Sequence, residues 1–587
     1  MADIQEDAAI IGIPWRSWGV DAFREAQERD LPILLDISAT WCHWCHVMDQ
    51  ETYRDPEVIR RVAAEVVPVR IDNDRRPDLN SRYNLGGWPT TAFLTPEGDL
   101  LSGSTFMPAD AFLESLSEVT TYYRDQRADL EAKVQRRRAR RARIHELRQR
   151  LRGEVSVDIV NTVTQSVMTA YDPRYGGFGN EPKFPVPEVL EFALAVGQGT
   201  HDGALLDVAG STLTAMATGG VYDSVGGGFF RYSVTADWAD PHYEKLLETN
   251  ARLLDDCLQA VQVFGDDLYR RTAHEIIAFA DDVLSDPSGA FAGSVDADEQ
   301  YYHLRADARA ERQPPAVDPT LFTDWNAMMV RALLRGAVVF GEPALADRAV
   351  EALEAIWERN FVPGAGMAHY YDGSPHLPGL LVDLAWMGHA LLDADAYVAA
   401  GDFRQRAETL LDIIYARLLD PDVGGFYDIP FHPSDQGRLQ DRHKLLDQNA
   451  IAADLALRLY RLTGIEKHHE AAVGCLEAMA PLYGPYRHHA APYGLTVYRY
   501  VHTPLHLIIV GDTAAKLSQQ LRLAALAIYD PNVLVESVDP LRQHGRLDQL
   551  GLSAQPQPVL YVRRGAQTCA PVQDPAQVAQ AVQAVPA

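Results

Sequence analysis

Cys42-His43-Trp44-Cys45-His46 sets two thiols three positions apart, with one imidazole between them and another just after. Three chemistries use such a group: covalent haem attachment, metal ligation and dithiol–disulfide exchange. Haem attachment normally follows export, and residues 1–7 are polar and acidic, without the basic start and apolar run of a secretory signal. A closed zinc site takes four ligands, usually from two paired motifs. No second CxxC is present, so His43 and His46 would have to complete the set from helical positions that point in different directions. Exchange requires a strand entering the motif, a helix leaving it, and a first thiol held as thiolate by the amides and dipole at the helix start. "ILLDIS" (33–38) and "HVMDQETY" (46–53) have those characters, and His43 adds positive charge beside Cys42. The dithiol reading ranks first, metal second and haem last.

The elements around the motif form three regions. Residues 1–125 alternate strand and helix signals: apolar runs at 32–38 and 66–72, two strands about a Pro-Glu-Gly-Asp turn at 90–104, and short helices between them, which together specify an α/β layer. Residues 126–154 are Arg-rich helix formers and read as a basic helical linker paired with acidic neighbours. From 155 to 502 long amphipathic helices alternate with glycine–aromatic loops, at 175–179, 219–232, 288–294, 424–430 and 491–498. Repeated helical hairpins, each with an apolar stripe to bury, predict a toroid. Residues 503–587 return to α/β signals, with strands at 505–512 and 558–564.

Residues 14–108 resemble the thioredoxin superfamily, with "WCHWC" in the place of its redox motif and "GGWPTT" (86–91) in that of its cis-proline loop. The resemblance implies that Pro89 is cis and faces Cys42, and that Asp36, six residues before Cys42, is the buried acid taking a proton from Cys45. Trp41 and Trp88 would flank the substrate groove. Together with "RIDNDRRPDL" (70–79), "GGFGNEPKFP" (176–185), the stretch 219–251, "SVDADEQ" (294–300) and "TDWNAMMVRAL" (323–333), these motifs mark a resemblance to the DsbH-like thioredoxin family. In that family a thioredoxin domain precedes an (α/α)6 barrel related to six-hairpin glycosidases and sugar epimerases. The implied architecture is an α/β thioredoxin-like domain, an all-α (α/α)6 toroid and a small α/β C-terminal segment. The implied activity is thiol–disulfide exchange, with Cys42 attacking and Cys45 resolving. Asp36 stands where this family is expected to carry serine, which draws the chemistry toward thioredoxin itself.

The toroid offers its own candidates. His242 and Glu244 lie at an expected helix start with Glu248 one turn on; Asp296, Asp298 and Asp324 lie near Tyr301, Trp325 and Asn326. Paired carboxylates beside aromatic rings suit sugar binding, and glycoside cleavage uses two carboxyls at a set separation. Epimerisation would use a histidine pair, for which His242 is one candidate and its partner is left unassigned. The plainer reading is that these acids cap helices and shape turns.

The charge of −28 opposes a nucleic-acid partner, and no run of about 18 apolar residues suggests a membrane span. Cys257 and Cys475 lie in apolar helical contexts as core thiols, and Cys569 stands alone. The expectation is a cytoplasmic protein without a cofactor or bound metal, acting on a disulfide-bearing protein or small molecule. His43 is assigned to the substrate groove with Trp41 and Trp88. A carbohydrate in the toroid funnel is the alternative partner.

Overall fold

The computed structural model describes residues 12–148 and 151–585, so the acidic start at 1–7 lies outside the described residues. The chain divides into two units, residues 1–150 with 429–443, and residues 151–428 with 444–587.

In the first unit the apolar runs become β1 (Ile33–Ser38), β2 (Val67–Asp72), β3 (Thr90–Leu94) and β4 (Leu100–Ser104), in the order β2-β1-β3-β4. β1 pairs parallel with β2 and antiparallel with β3. Both inner strands are buried on two faces, which is why they read as continuous apolar runs with little alternation. Helices α1 (Val20–Arg29), α2 (His43–Gln50), α3 (Pro56–Glu65), α4 (Pro77–Tyr83) and α5 (Ala109–Asp125) complete the layers. Asp55 starts α3 by accepting from the amides of Glu57 and Val58, with Pro56 at the first helical position.

The basic stretch is not a linker. It forms α6 (Arg127–Arg148) within the first unit, where Arg138 and Arg141 bond the Asp99 carboxylate, Arg141 at 2.9 Å. Residues 429–443 also belong to this unit: Arg82 donates to the carbonyls of Arg438 (2.9 Å) and Asp441 (2.8 Å), and the Arg438 amide donates to Tyr83 Oη.

The second unit holds α7 (Val157–Ala170), α8 (Pro187–Thr200), α9 (Gly203–Thr218), α10 (Leu247–Phe264) and α11 (Asp267–Val283). After the short α12 (Glu299–Tyr302) and α13 (Ala306–Ala310) come α14 (Thr323–Phe340), α15 (Pro343–Asn360), α16 (Leu381–Val398) and α17 (Phe403–Arg417). The last of the ring are α18 (Leu446–Thr463), α19 (Glu466–Met479) and α20 (Ala491–Val501). Helices α8, α10, α14, α16, α18 and α20 each touch the next, and α20 returns to α8, which closes an inner ring; the remaining long helices pack outside it. This is the (α/α)6 toroid.

Residues 491–498, expected as a glycine–aromatic loop, are instead the inner helix α20. The glycine there serves packing, since a Cβ on Gly494 would lie 2.9 Å from the Phe192 ring and 3.1 Å from Val163. The true loops share a device. Lys183, Lys245 and Lys444 each bridge a loop aspartate (Asp172, Asp223, Asp420) and a loop glycine carbonyl. In three of the loops an inner-helix asparagine binds the phenylalanine backbone at both ends: Asn250 with Phe229, Asn326 with Phe291 and Asn449 with Phe426.

The C-terminal segment forms a sheet on the strand Leu505–Val510, parallel to Val533–Val538 and antiparallel to Val559–Arg564. The strand at 533–538 escaped the sequence reading because it carries Glu536, a buried acid matched by His506 and Arg546.

Candidate redox site and ring funnel

Cys42 is the N-cap of α2, its sulfur accepting the Cys45 amide at 3.2 Å, and the two cysteines are joined as a disulfide with their Cα atoms 5.2 Å apart. The pair is nearly enclosed, Cys42 5% and Cys45 3% exposed. His43 and Trp44 point outward, with Trp44 resting on Phe106. Trp88–Pro89 is a cis peptide. The Trp41 and Trp88 rings meet edge to face at 6.0 Å.

Asp36 is 1% exposed, not a solvent-facing strand end. Its register partner on β2 is Arg70, whose Nε bonds its carboxylate at 2.6 Å, and Tyr53 Oη donates to it at 3.1 Å. Arg70 also bonds Asp49 on α2 and stacks on Trp15 at 4.3 Å. Burial raises the Asp36 pKa, Arg70 opposes that rise, and Asp49 adds to it.

Sequence reasoning named Asp36 but missed its partners Arg70, Tyr53 and Asp49, along with Asp72 and Asp74. Asp72 accepts from the Thr40 amide and hydroxyl, and Asp74 takes the Trp41 indole N–H at 2.5 Å. Asn80 on α4 takes the Trp88 indole N–H at 3.2 Å. Residues 70–80 therefore brace Trp41 of the dithiol loop and Trp88 of the cis-proline loop. The available signal was their run of acids directly after a strand. His46, a ligand candidate, makes a hydrogen bond to the Thr40 carbonyl at 2.9 Å.

In the ring, the first turns of the inner helices bring carboxylates together: Glu188 on α8, Glu248 on α10, Asp324 on α14, Asp383 on α16 and Asp447 on α18. Burial raises Glu248, and Glu188 and Asp447 add their own repulsion. Asp447 is exposed, yet the protein around it raises its pKa by desolvation; a group both wetted and crowded lines a concave mouth. Glu188 is held low despite burial, by His489 and Arg252. Asp324 lies deeper with His369 and Asp383, all three buried, and His369 Nδ1 is 3.0 Å from both Asp383 oxygens. Burial and Asp383 push Asp324 up to about 8.

The other ring candidates separate from this cluster. His242 and Glu244 precede the helix expected to carry them, since residues 241–246 pair with other strands before α10 begins at Leu247. His242 stacks on Tyr232 at 4.4 Å and lies 3.5 Å from Glu244, whose Oε2 is buried without a hydrogen-bond partner. Asp298 caps α12, and the Asp296 carboxylate accepts the Ala297 amide. Trp325 is 6% exposed against Phe322. Asn326 is fully buried and its amide is committed to the Phe291 and Phe322 backbone, so it has no face toward a ligand.

A dithiol at the cap of a helix and a cis-proline, on a β2-β1-β3-β4 sheet, define a thioredoxin-like domain, here on the same chain as an (α/α)6 ring. Residues 6–140 match the DsbH-type thioredoxin family model, described as "Protein of unknown function, DUF255". The N-terminal domain is similar to that DsbH-like family. Spermatogenesis-associated protein 20 from Homo sapiens is 32% identical over 314 residues, 49% of this chain and 39% of the relative. The chain thus spans about two fifths of the length of that curated relative. Thiol:disulfide interchange protein DsbD 1 from Pseudomonas aeruginosa is 38% identical over 82 residues, 13% of this chain and 14% of that one. Among solved structures, cellobiose 2-epimerase from Spirochaeta thermophila aligns with 61% of this chain and 97% of its own at a TM-score of 0.48 and 15% identity.

Proposed function

We propose that the first unit is a thiol–disulfide oxidoreductase and that the ring serves it as a substrate-recognising module. The observation that carries this reading is the pair Cys42–Cys45 at the start of α2, in a domain that also holds a buried Asp36–Arg70 pair and a cis Trp88–Pro89 peptide. In the reduced enzyme the Cys42 thiolate is favoured by the Cys45 amide and the helix dipole. It attacks one sulfur of a substrate disulfide, forming a mixed disulfide and releasing the other sulfur as a thiolate. Cys45 loses its proton toward Asp36 and attacks Cys42, which expels the second substrate thiolate. Two electrons pass to the substrate, whose two thiolates take up the Cys45 proton by way of Asp36 and a second proton from water, and the enzyme is left as the disulfide. A dithiol reductant such as a thioredoxin-type protein must then reduce it. Pro89, Trp41 and Trp88 shape the groove where the substrate chain lies, with His43 at its rim. A thiol:disulfide interchange protein among the relatives agrees with this chemistry.

The test is reduction of insulin disulfides by the full chain with dithiothreitol as electron source. Cys42→Ser should lower the rate at least about 100-fold relative to the parent. Equal rates for the two proteins would defeat the proposal.

A second reading, carbohydrate chemistry in the ring, draws on Asp324: a buried acid that keeps its proton near neutrality beside Asp383 and His369. It requires a sugar converted by the full chain and not by Asp324→Asn.

A further inference from the structure

One cavity in the second unit does not open among the glycine-rich loops. It lies at the other end of the inner ring, where the C-terminal halves of α10, α14, α16 and α18 meet residues 526–535, and its volume is about 200 Å³. Its walls are built around guanidinium groups from three helices: Arg331 and Arg335, one turn apart on α14; Arg458 and Arg461 on α18; Arg499 on α20.

The carboxylates do not use these groups up. Asp393 is shared between Arg331 and Arg458, Asp454 takes Arg499, and Asp255 takes Arg335. Glu191 lies 3.7 Å from Arg499. Asp395 and Asp530 also reach the cavity, but each is matched from outside it, by Arg404 and Arg564 at 2.8 Å. Arg461 has no ion-pair partner among the described residues; it donates to the Asn532 side chain and the Arg499 carbonyl. Five cations thus face four carboxylates, a surplus of one positive charge.

The surplus is local to Arg461 and His389, whereas Asp393 and Asp255 raise the pKa values of Arg331 and Arg335 against their burial. Burial, together with Arg499 and Arg458, lowers Arg461 to about 10 even with Asp454 opposing. Burial and the neighbouring Arg331 and Arg458 hold His389 down to about 3. The guanidiniums also keep donors in reserve. Arg331 bonds through Nε alone, and Arg335 through Nε and a long 3.5 Å contact from Nη1 to Gln262. Both side chains are part-exposed on the cavity wall, 20% and 31%.

We propose that this cavity is a binding site for a phosphate monoester of a small polyhydroxylated molecule. Paired guanidinium forks match the oxygens of a tetrahedral oxyanion, and a surplus of positive charge favours its negative charge. The cavity is larger than a lone phosphate and opens outward, which leaves room for the esterified part. Gln262, Tyr397 and Tyr529 on the same walls offer amide and phenol groups to hydroxyls. The site is separate from the dithiol, and the inference does not depend on the redox reading.

The test is calorimetric titration of the full chain with glucose 6-phosphate, ribose 5-phosphate, inorganic phosphate and glucose. At least one ester should bind with a Kd below about 1 mM, roughly tenfold tighter than inorganic phosphate, while glucose shows no heat. Arg335→Gln should weaken the ester about tenfold or more. Arg335→Lys keeps a cation beside Asp255 but loses the fork, and should fall between the parent and Arg335→Gln at an unchanged melting temperature, which separates loss of donors from loss of fold. Insulin reduction should be unchanged in both variants. Absence of binding by either ester, an ester no tighter than inorganic phosphate, or equal ester affinity in Arg335→Gln and the parent would overturn the proposal.

Discussion

Buried carboxylates occur in both units, with opposite kinds of neighbour. Asp36, under the dithiol helix, faces a guanidinium and a phenol; Asp324, in the first turn of α14, faces another carboxylate and an imidazole. Burial raises both, but Arg70 draws Asp36 back while Asp383 drives Asp324 further, to about 8. What the comparison teaches is that depth sets the direction of such a shift and the partner sets its extent. A buried acid beside a cation is available as a proton acceptor, whereas one beside an acid is a proton store.

The largest expected effect comes from breaking the first arrangement. Arg70→Leu leaves Asp36 and Asp49 without their shared cation, and removing one partner of a buried pair costs about 3–5 kcal/mol. The melting temperature should fall accordingly, and the double variant Asp36→Leu/Arg70→Met should recover most of it. A single variant that melts with the parent would show that Asp36 does not depend on its cation.

The second arrangement gives a pH signature. The unfolded Asp324 loses its proton near 3.8, while the folded one keeps it until about 8. Between those values the native state binds the extra proton, so stability is full below the lower value, falls as pH rises and levels off above the upper one. From pH 5 to pH 7 the loss is on the order of 3 kcal/mol. Asp324→Asn should flatten that part of a melting-temperature profile, and an unchanged slope would place the proton elsewhere.

The two regions also differ in how openly the sequence displays them. The dithiol, Pro89 and Asp36 lie within short contiguous motifs, so residue types and spacing identify them. Arg70 becomes Asp36's partner only through the β1–β2 register, which no local pattern specifies. In the ring, Asp324 was visible, but His369 and Asp383 reach it from a strand and a different helix, 45 and 59 positions on. A quieter signal was available in the repeats themselves. "LETN" (247–250), "TDWN" (323–326) and "LDQN" (446–449) open three inner helices with the same order, an acid facing the mouth and an asparagine holding the loop. Aligned with one another, they separate Asp324 from Asn326 and add Asp447. The inner-ring arginines were hidden for another reason: at helical spacing on apolar helices they read as scattered surface charge.

The smallest expected effect tests whether Asp36 acts as an acceptor at all. If it takes the Cys45 proton, Asp36→Asn should slow resolution of the mixed disulfide about tenfold at pH 7, equivalent to about 1.4 kcal/mol of barrier. Arg70 keeps Asp49 in this variant, so melting should change little. The deficit should shrink above pH 9, where a thiol of ordinary pKa near 8.5 ionises without help. Stopped-flow fluorescence from Trp41 and Trp44, which flank the cysteines, can follow the step. A deficit that stays constant from pH 7 to pH 9.5 would mean that Asp36 shapes the site without moving the proton, and the acid beside a cation would then be as structural as the asparagines of the ring.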